Sequence, residues 1–191
     1  MRSLVAAEYV TIDGVMQDPG GVGEIEHGGW SNPYFNDELA KYQHDELFAS
    51  DALLLGRETF AGFAAAWPSM EETEGDFAVR MNTLPKYIAS HTLTEPLPWN
   101  GAIIKGDVAE AVANLKEQPG GQILIYGSAR LVNTLLARDL IDRYKLMVFP
   151  VTVGAGKRLF TDDAGLKAFK LADARTTGTG VAMLTYDLAH S

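Results

Sequence analysis

Ala52-Leu53-Leu54-Leu55-Gly56-Arg57-Glu58-Thr59-Phe60 is the stretch that decides the fold of this chain. Four apolar residues in a row suit a strand buried on both faces, and a glycine ends the run. The residues from 57 to 66 fit a helix. A strand that feeds a helix through glycine leaves unpaired backbone N–H groups at the positive end of the helix dipole, which is a place for a phosphate. Arg57 adds a planar fork that matches phosphate oxygens. A nucleotide cofactor belongs here, and the functional reading is built on that.

The same alternation continues outward. Residues 3–12 read as a strand that Asp13-Gly14 ends with a turn. A long segment rich in glycine, 15–35, follows, and loops of that length in a compact domain tend to be lids or binding loops. Residues 36–49 fit a helix capped by Asn36 or Asp37, with Leu39, Tyr42, Leu47 and Phe48 on its apolar face. Beyond the acidic loop after Trp67-Pro68, a short helix is expected over 77–82. Strands are expected at 87–90, 102–104, 122–126 and 144–153, with helices at 107–117 and 129–138. The segments 170–176 and 181–188 pair as a closing hairpin around Thr177-Gly178-Thr179-Gly180. Strands alternating with helices imply a three-layer α/β/α domain over 1–191. Its sheet should be mixed and mostly parallel, with about eight strands and a C-terminal antiparallel hairpin. Ligands of such sheets sit at the carboxyl ends of the strands. The glycines at 14, 56 and 127 are placed to meet there.

Composition narrows the function. The chain has 191 residues, no cysteine and a net charge of -9. Disulfides, thiolate zinc sites and cysteine nucleophiles are excluded. Acidity without any basic run argues against nucleic acid and anionic membranes as partners. The apolar start is broken at Glu8 and Asp13, so it does not read as a signal peptide, and a cytoplasmic protein is expected. His27, His44, His91 and His190 lack metal spacing and read as surface residues. Gly154-Ala155-Gly156-Lys157 lacks the spacing of a phosphate loop and reads as a turn, with Lys157 and Arg158 available to a substrate phosphate. Trp30 and Trp67 stand beside loops, as core or as pocket lining.

Six segments in order carry a resemblance. They are Thr11-Ile12-Asp13-Gly14 and Leu54–Phe60, then Asn82–Ser90, then Ile125–Leu131 with Leu140–Tyr144, and last Phe149–Phe160. In this order and spacing the chain resembles the dihydrofolate-reductase-like superfamily. It is most similar to the reductase domain of the bifunctional riboflavin-biosynthesis deaminase-reductase. The resemblance implies an NADPH-dependent reductase that transfers hydride to a C=N group, a sugar carbonyl or an imine of a small molecule, and it leans to a homodimer. It implies that Gly56, Arg57 and Thr59 hold cofactor phosphates and that Ser90 lies near the 2′-phosphate. Gly127, Ser128, Ala129 and Leu131 form the turn and helix start under the pyrophosphate. Ala7 and Gly14 flank the nicotinamide. Asp13 is either a turn residue or the acid that steers a proton to the substrate.

Two departures are visible. Folate reductases carry a pterin-binding carboxylate on the first helix, where this chain has Leu39-Ala40-Lys41 with Glu38 nearest. Gly127 is followed by serine rather than further glycine. A folate reductase and a non-catalytic nucleotide-binding protein of the same fold stand as the alternatives.

Overall fold

β1 (Leu4–Thr11) is the spine of the molecule, and all of its residues but Tyr9 are buried. The computed structural model describes residues 1–162 and 165–189. After β1 come α1 (Asp37–Ala49), β2 (Ser50–Gly56), α2 (Arg57–Ala66), α3 (Glu71–Thr83), β3 (Lys86–Ala89) and β4 (Gly101–Ile103). Then follow α4 (Val108–Glu117), β5 (Gln122–Tyr126), α5 (Ala129–Leu136), β6 (Arg143–Phe149), β7 (Phe169–Thr176) and β8 (Ala182–Leu188). The eight strands form one sheet in the order β4-β3-β2-β5-β1-β6-β8-β7. Pairing is parallel from β4 through β6 and antiparallel in β6–β8 and β8–β7.

The period of two along each strand sorts side chains between two cores. Val5, Leu53, Leu55 and Leu124 face Leu39 and Leu47 of α1, Phe60 of α2 and Met81 of α3. Leu4, Ala6, Leu54, Ile123 and Ile125 face Val112 and Leu115 of α4 and Leu131, Val132, Leu135 and Leu136 of α5. Each fully buried aliphatic side chain contributes roughly 1.5–3 kcal/mol, so two such layers supply the driving force for the fold. Side chains also mark helix starts: Asn36 accepts the Leu39 N–H at 3.0 Å and Asp107 accepts the Glu110 N–H at 3.0 Å.

Two elements differ from expectation. α3 begins at Glu71 rather than 77, because Glu71, Glu72 and Glu74 suit the positive end of a helix, and the turn breaks at Gly75 (φ 59°) before the helix proceeds. β6 ends at Phe149 rather than 153. Pro150 has no N–H for the ladder, and Val151 N–H turns back to Phe149 O at 2.8 Å.

α1 also departs from its expected apolar face. Phe48 is largely exposed and stacks on His44, whereas Glu46 is buried. Glu46 is ion-paired with Lys145 of β6 and hydrogen-bonded by Gln122 of β5, which also donates to Ser50 Oγ at 2.8 Å. These partners satisfy a carboxylate that would be costly alone.

Candidate functional site

β1 and β5 lie side by side, yet the chain leaves them toward opposite faces. β1 leads to α1 on one side of the sheet and β5 leads to α5 on the other. This opens a crevice at the carboxyl ends of the strands, the ligand position of open α/β sheets. A cavity of about 1550 Å³ occupies it. Ala7, Gly56, Arg57, Thr59, Ser90, Gly127, Ser128, Ala129 and Leu131 all line it.

One end of the cavity is built from two helix starts. Gly56 precedes α2 and Ser128 precedes α5, and neither helix has a side-chain cap. Ser128 is left-handed (φ 65°), and its hydroxyl turns sideways instead of capping. It accepts the Gly56 N–H at 2.9 Å and donates to Thr59 Oγ1 at 3.1 Å. Gly127 (φ 58°) passes so close to Thr59 that a Cβ there would stand 3.0 Å from its hydroxyl. Two positive helix ends are thereby held together with their first N–H groups uncapped. Arg57, Arg130 and Lys157 surround them. Glu58 takes part of this charge, at 2.6 Å from Lys157 and 3.7 Å from Arg57, and the Lys157 contact lowers its pKa. Ser90 closes the end of β3, its hydroxyl accepting N–H groups of Thr92 and Leu93. Such a cradle fits the phosphates of a dinucleotide.

Elsewhere the cavity wall includes Glu8, Tyr9, Gln43 and Tyr126. Tyr9 donates to Gln43 Oε1 at 2.7 Å, and burial raises the Tyr9 pKa so that its proton stays. Tyr126 is buried and its hydroxyl has no partner. Glu8 is 2% exposed, and its Oε1 has none either. Its pKa is raised well above the usual carboxyl value by burial, against the pull of the Gly127 N–H. Trp67 lines the cavity, whereas Trp30 is packed in the core on Phe149.

The loop from 15 to 35 forms the rim. Asp18 is buried and gathers the N–H groups of Val22 at 2.6 Å, Gly23 at 3.2 Å and Glu24 at 2.9 Å. Burial raises its pKa, but these donors outweigh that and the net shift is downward. Gly28 packs against it so closely that a Cβ would overlap the carboxylate. Trp30 fixes the far end, donating to Gln17 O at 2.8 Å.

Asp13 and Gly14, expected beside the nicotinamide, are not among the residues that line the cavity. The Asp13 carboxylate accepts from Thr11 Oγ1 at 2.5 Å, Gly154 N at 2.7 Å and Val153 N at 3.2 Å. Those donors, the Thr11 hydroxyl first, bring its pKa down to about 2. Asp13 is thus an ionised tie between two loops, with no proton to give near neutral pH. Gly14 (φ 81°) makes the turn that allows it. Arg158 donates to the Asp13 carbonyl and is spent there, whereas Lys157 lines the cavity.

Glu38 lies outside the cavity too, accepting the Gly178 N–H at 2.6 Å. His44 and His91 lie at the surface, as expected, and both line the mouth of the cavity, while His27 lines a smaller pocket. His190 falls outside the described residues. Among the described residues no group of His, Asp or Glu could hold a metal, and no helix is long and apolar enough to cross a membrane.

Sequence reasoning missed Glu8, Tyr9, Gln43, Tyr126 and Arg130. Glu8 had a readable signal: an acid within a strand that is otherwise apolar is seldom there for packing.

Residues 2–183 match the model of the RibD C-terminal domain family. The chain is 32% identical to the uncharacterized protein YyaP of Bacillus subtilis (strain 168) over 144 residues, covering 74% of this chain and 76% of that protein. YwjB of the same organism is 26% identical over 133 residues, covering 70% and 71%. Among solved structures, a putative riboflavin biosynthesis protein from Shewanella sp. PV-4 superposes with a TM-score of 0.75 at 20% identity, over 98% of this chain and 99% of that one. A Thermotoga maritima diaminohydroxyphosphoribosylaminopyrimidine deaminase/5-amino-6-(5-phosphoribosylamino)uracil reductase gives 0.68 at 14% identity. That match covers 98% of this chain and 57% of that one. At these identities the two structures show a shared fold.

Proposed function

The chain belongs to the RibD C-terminal domain family, and from that membership and the cleft we propose that it is an NADPH-dependent reductase of a small molecule. The observation that carries this is the pair of uncapped helix starts tied by Ser128 and ringed by Arg57, Arg130 and Lys157. Gly56, Arg57, Thr59, Gly127, Ser128 and Ala129 would hold the cofactor phosphates, with Arg57 and Ser90 reading a 2′-phosphate. The bound cofactor would supply a hydride. The remaining work falls to this chain: Ala7 and Tyr126 bound the reacting end, and Tyr9, Gln43 and Trp67 shape the space beside it. The substrate class is a polar ring or open-chain sugar with a C=N or carbonyl group, by analogy with the ribosylaminouracil phosphate named for the Thermotoga protein.

A pterin is disfavoured. Its amino group and ring nitrogen ask for an ionised carboxylate, a charge-assisted pair worth roughly 3 kcal/mol. In this chain Glu38 is engaged by Gly178, and of the cavity-lining residues of the first helix Gln43 is uncharged while Asp45 is exposed and paired with Lys41 at 2.7 Å.

Titration with NADPH, followed by tryptophan fluorescence, tests the cofactor reading. Saturable binding with NADH much weaker is expected. Absence of binding by either nucleotide overturns it.

A further inference from the structure

Glu8, the most deeply buried acid lining the cleft, has no part in holding the cofactor phosphates. The β1–β5 ladder ends at the Ala7–Tyr126 pair, and Glu8 is the next residue of β1, where the two strands part. It lies among the cavity-lining residues, 2% exposed, with Gly127 N–H as the donor facing it. No lysine or arginine forms an ion pair with it among the described residues. The groups near it from the flanking strands are the phenols of Tyr126 on β5 and Tyr144 on β6. An ionised carboxylate in such a place would be costly, and it would repel phosphates at the adjacent start of α5. A protonated acid has neither fault. It accepts one N–H through its carbonyl oxygen and keeps one O–H free.

Tyr126, the register partner of Ala7, and Tyr144, the register partner of Ala6, point to opposite faces of the sheet, Glu8 sharing the side of Tyr144, and both hydroxyls are buried without a partner. Buried polar groups without partners are rare, and Glu8 Oε1 at the cavity wall marks a place where a ligand completes it. A protonated Glu8 holds a donor, so the complementary ligand group is an acceptor, and burial without a cation to pair it favours an uncharged one.

We propose that Glu8 is a specificity-determining residue whose carboxyl group donates a hydrogen bond to a neutral carbonyl or carboxamide of a ligand held in the crevice between β1 and β5. This rests on the reading that the cleft binds a nicotinamide nucleotide, whose ring carries such a carboxamide. It assigns Glu8 a part in ligand choice that the phosphate cradle cannot play.

The test compares wild type, Glu8→Gln and Glu8→Leu in NADPH titrations, with infrared difference spectra of the same samples. The wild type should show the C=O stretch of a protonated carboxylic acid at neutral pH, absent from Glu8→Gln and moved to lower frequency by NADPH. Glu8→Leu should bind NADPH about tenfold more weakly, the loss of one buried hydrogen bond. Glu8→Gln keeps a donor of the same shape and should stay within about threefold of wild type. NADPH affinity equal in wild type and Glu8→Leu, or a carboxylate spectrum for Glu8, overturns this inference alone. A wild-type protein that binds no nicotinamide nucleotide overturns both it and the cofactor reading.

Discussion

Ser128 Oγ accepts the backbone N–H of Gly56 at 2.9 Å, across 72 residues of sequence. One hydroxyl thus sets the spacing between two helix starts, and it does so from a left-handed backbone at φ 65°. The cost of that conformation for a residue with a Cβ is roughly 1–2 kcal/mol, so the hydroxyl must return at least as much. Replacement separates the two effects. Ser128→Gly relieves the backbone and loses the bond, whereas Ser128→Ala keeps the strain and loses the bond. Thermal stability should fall in the order serine, glycine, alanine, with about 1–2 kcal/mol between the ends. Calorimetry that ranks alanine above glycine would remove the argument.

Arg57 is half-exposed at the mouth of the cleft, 3.7 Å from Glu58. Arg57→Ala should weaken NADPH by about 1.5–3 kcal/mol and leave NADH nearly unchanged. Equal losses for the two nucleotides in parallel titrations would show that Arg57 does not read the 2′-phosphate.

Asp13→Asn should leave NADPH affinity intact and lower stability modestly. The carboxylate is largely solvent-screened, so about 1 kcal/mol or less is expected. The sign with pH follows from its depressed pKa. The contribution is fully present above the ordinary value of 3.8 and is lost as pH falls through about 2. Acid unfolding of Asp13→Asn should therefore be less steep in that window than that of wild type.

Glu8 works in the opposite sense. Its folded pKa lies above the ordinary 4.5, so the folded state retains a proton that the unfolded state releases. Wild-type stability should decline as pH rises from 4.5 toward the folded value. Glu8→Gln should lack that slope. Parallel slopes for the two proteins in denaturant titrations would place Glu8 as an ordinary carboxylate.

Lys145→Met should be among the most damaging single changes, because it leaves Glu46 buried without its ion pair. A loss of about 3–5 kcal/mol is expected. Glu46→Leu combined with Lys145→Met should recover most of it. A double variant no better than the single one would show that Gln122 and Ser50, not the charge pair, hold this corner.

Much of the architecture was legible because local signals and burial agree. Leu131, Leu135 and Leu136 repeat at helical spacing and do face one core, and Asp107 stands where its cap bond forms. The pair of helix starts at one end of the cavity was legible for the same reason, since a strand that ends at Gly56-Arg57 announces its own geometry. The other end was not. Asp13 looked like an acid beside the cleft, and nothing local could show that Val153 and Gly154 would arrive 140 residues later to occupy it. Gln43 and Tyr9 meet only after α1 folds over β1, and Glu46 reads as a surface residue until Lys145 is set against it.

Asp18 has a kinetic consequence. Because its carboxylate already knots the rim together, with Trp30 sunk into the core, the cavity wall stands before any ligand arrives. Association should then be a single encounter step whose rate rises linearly with nucleotide concentration and shows no saturation from a closing motion. Affinity among related nucleotides would be written almost entirely in their dissociation rates.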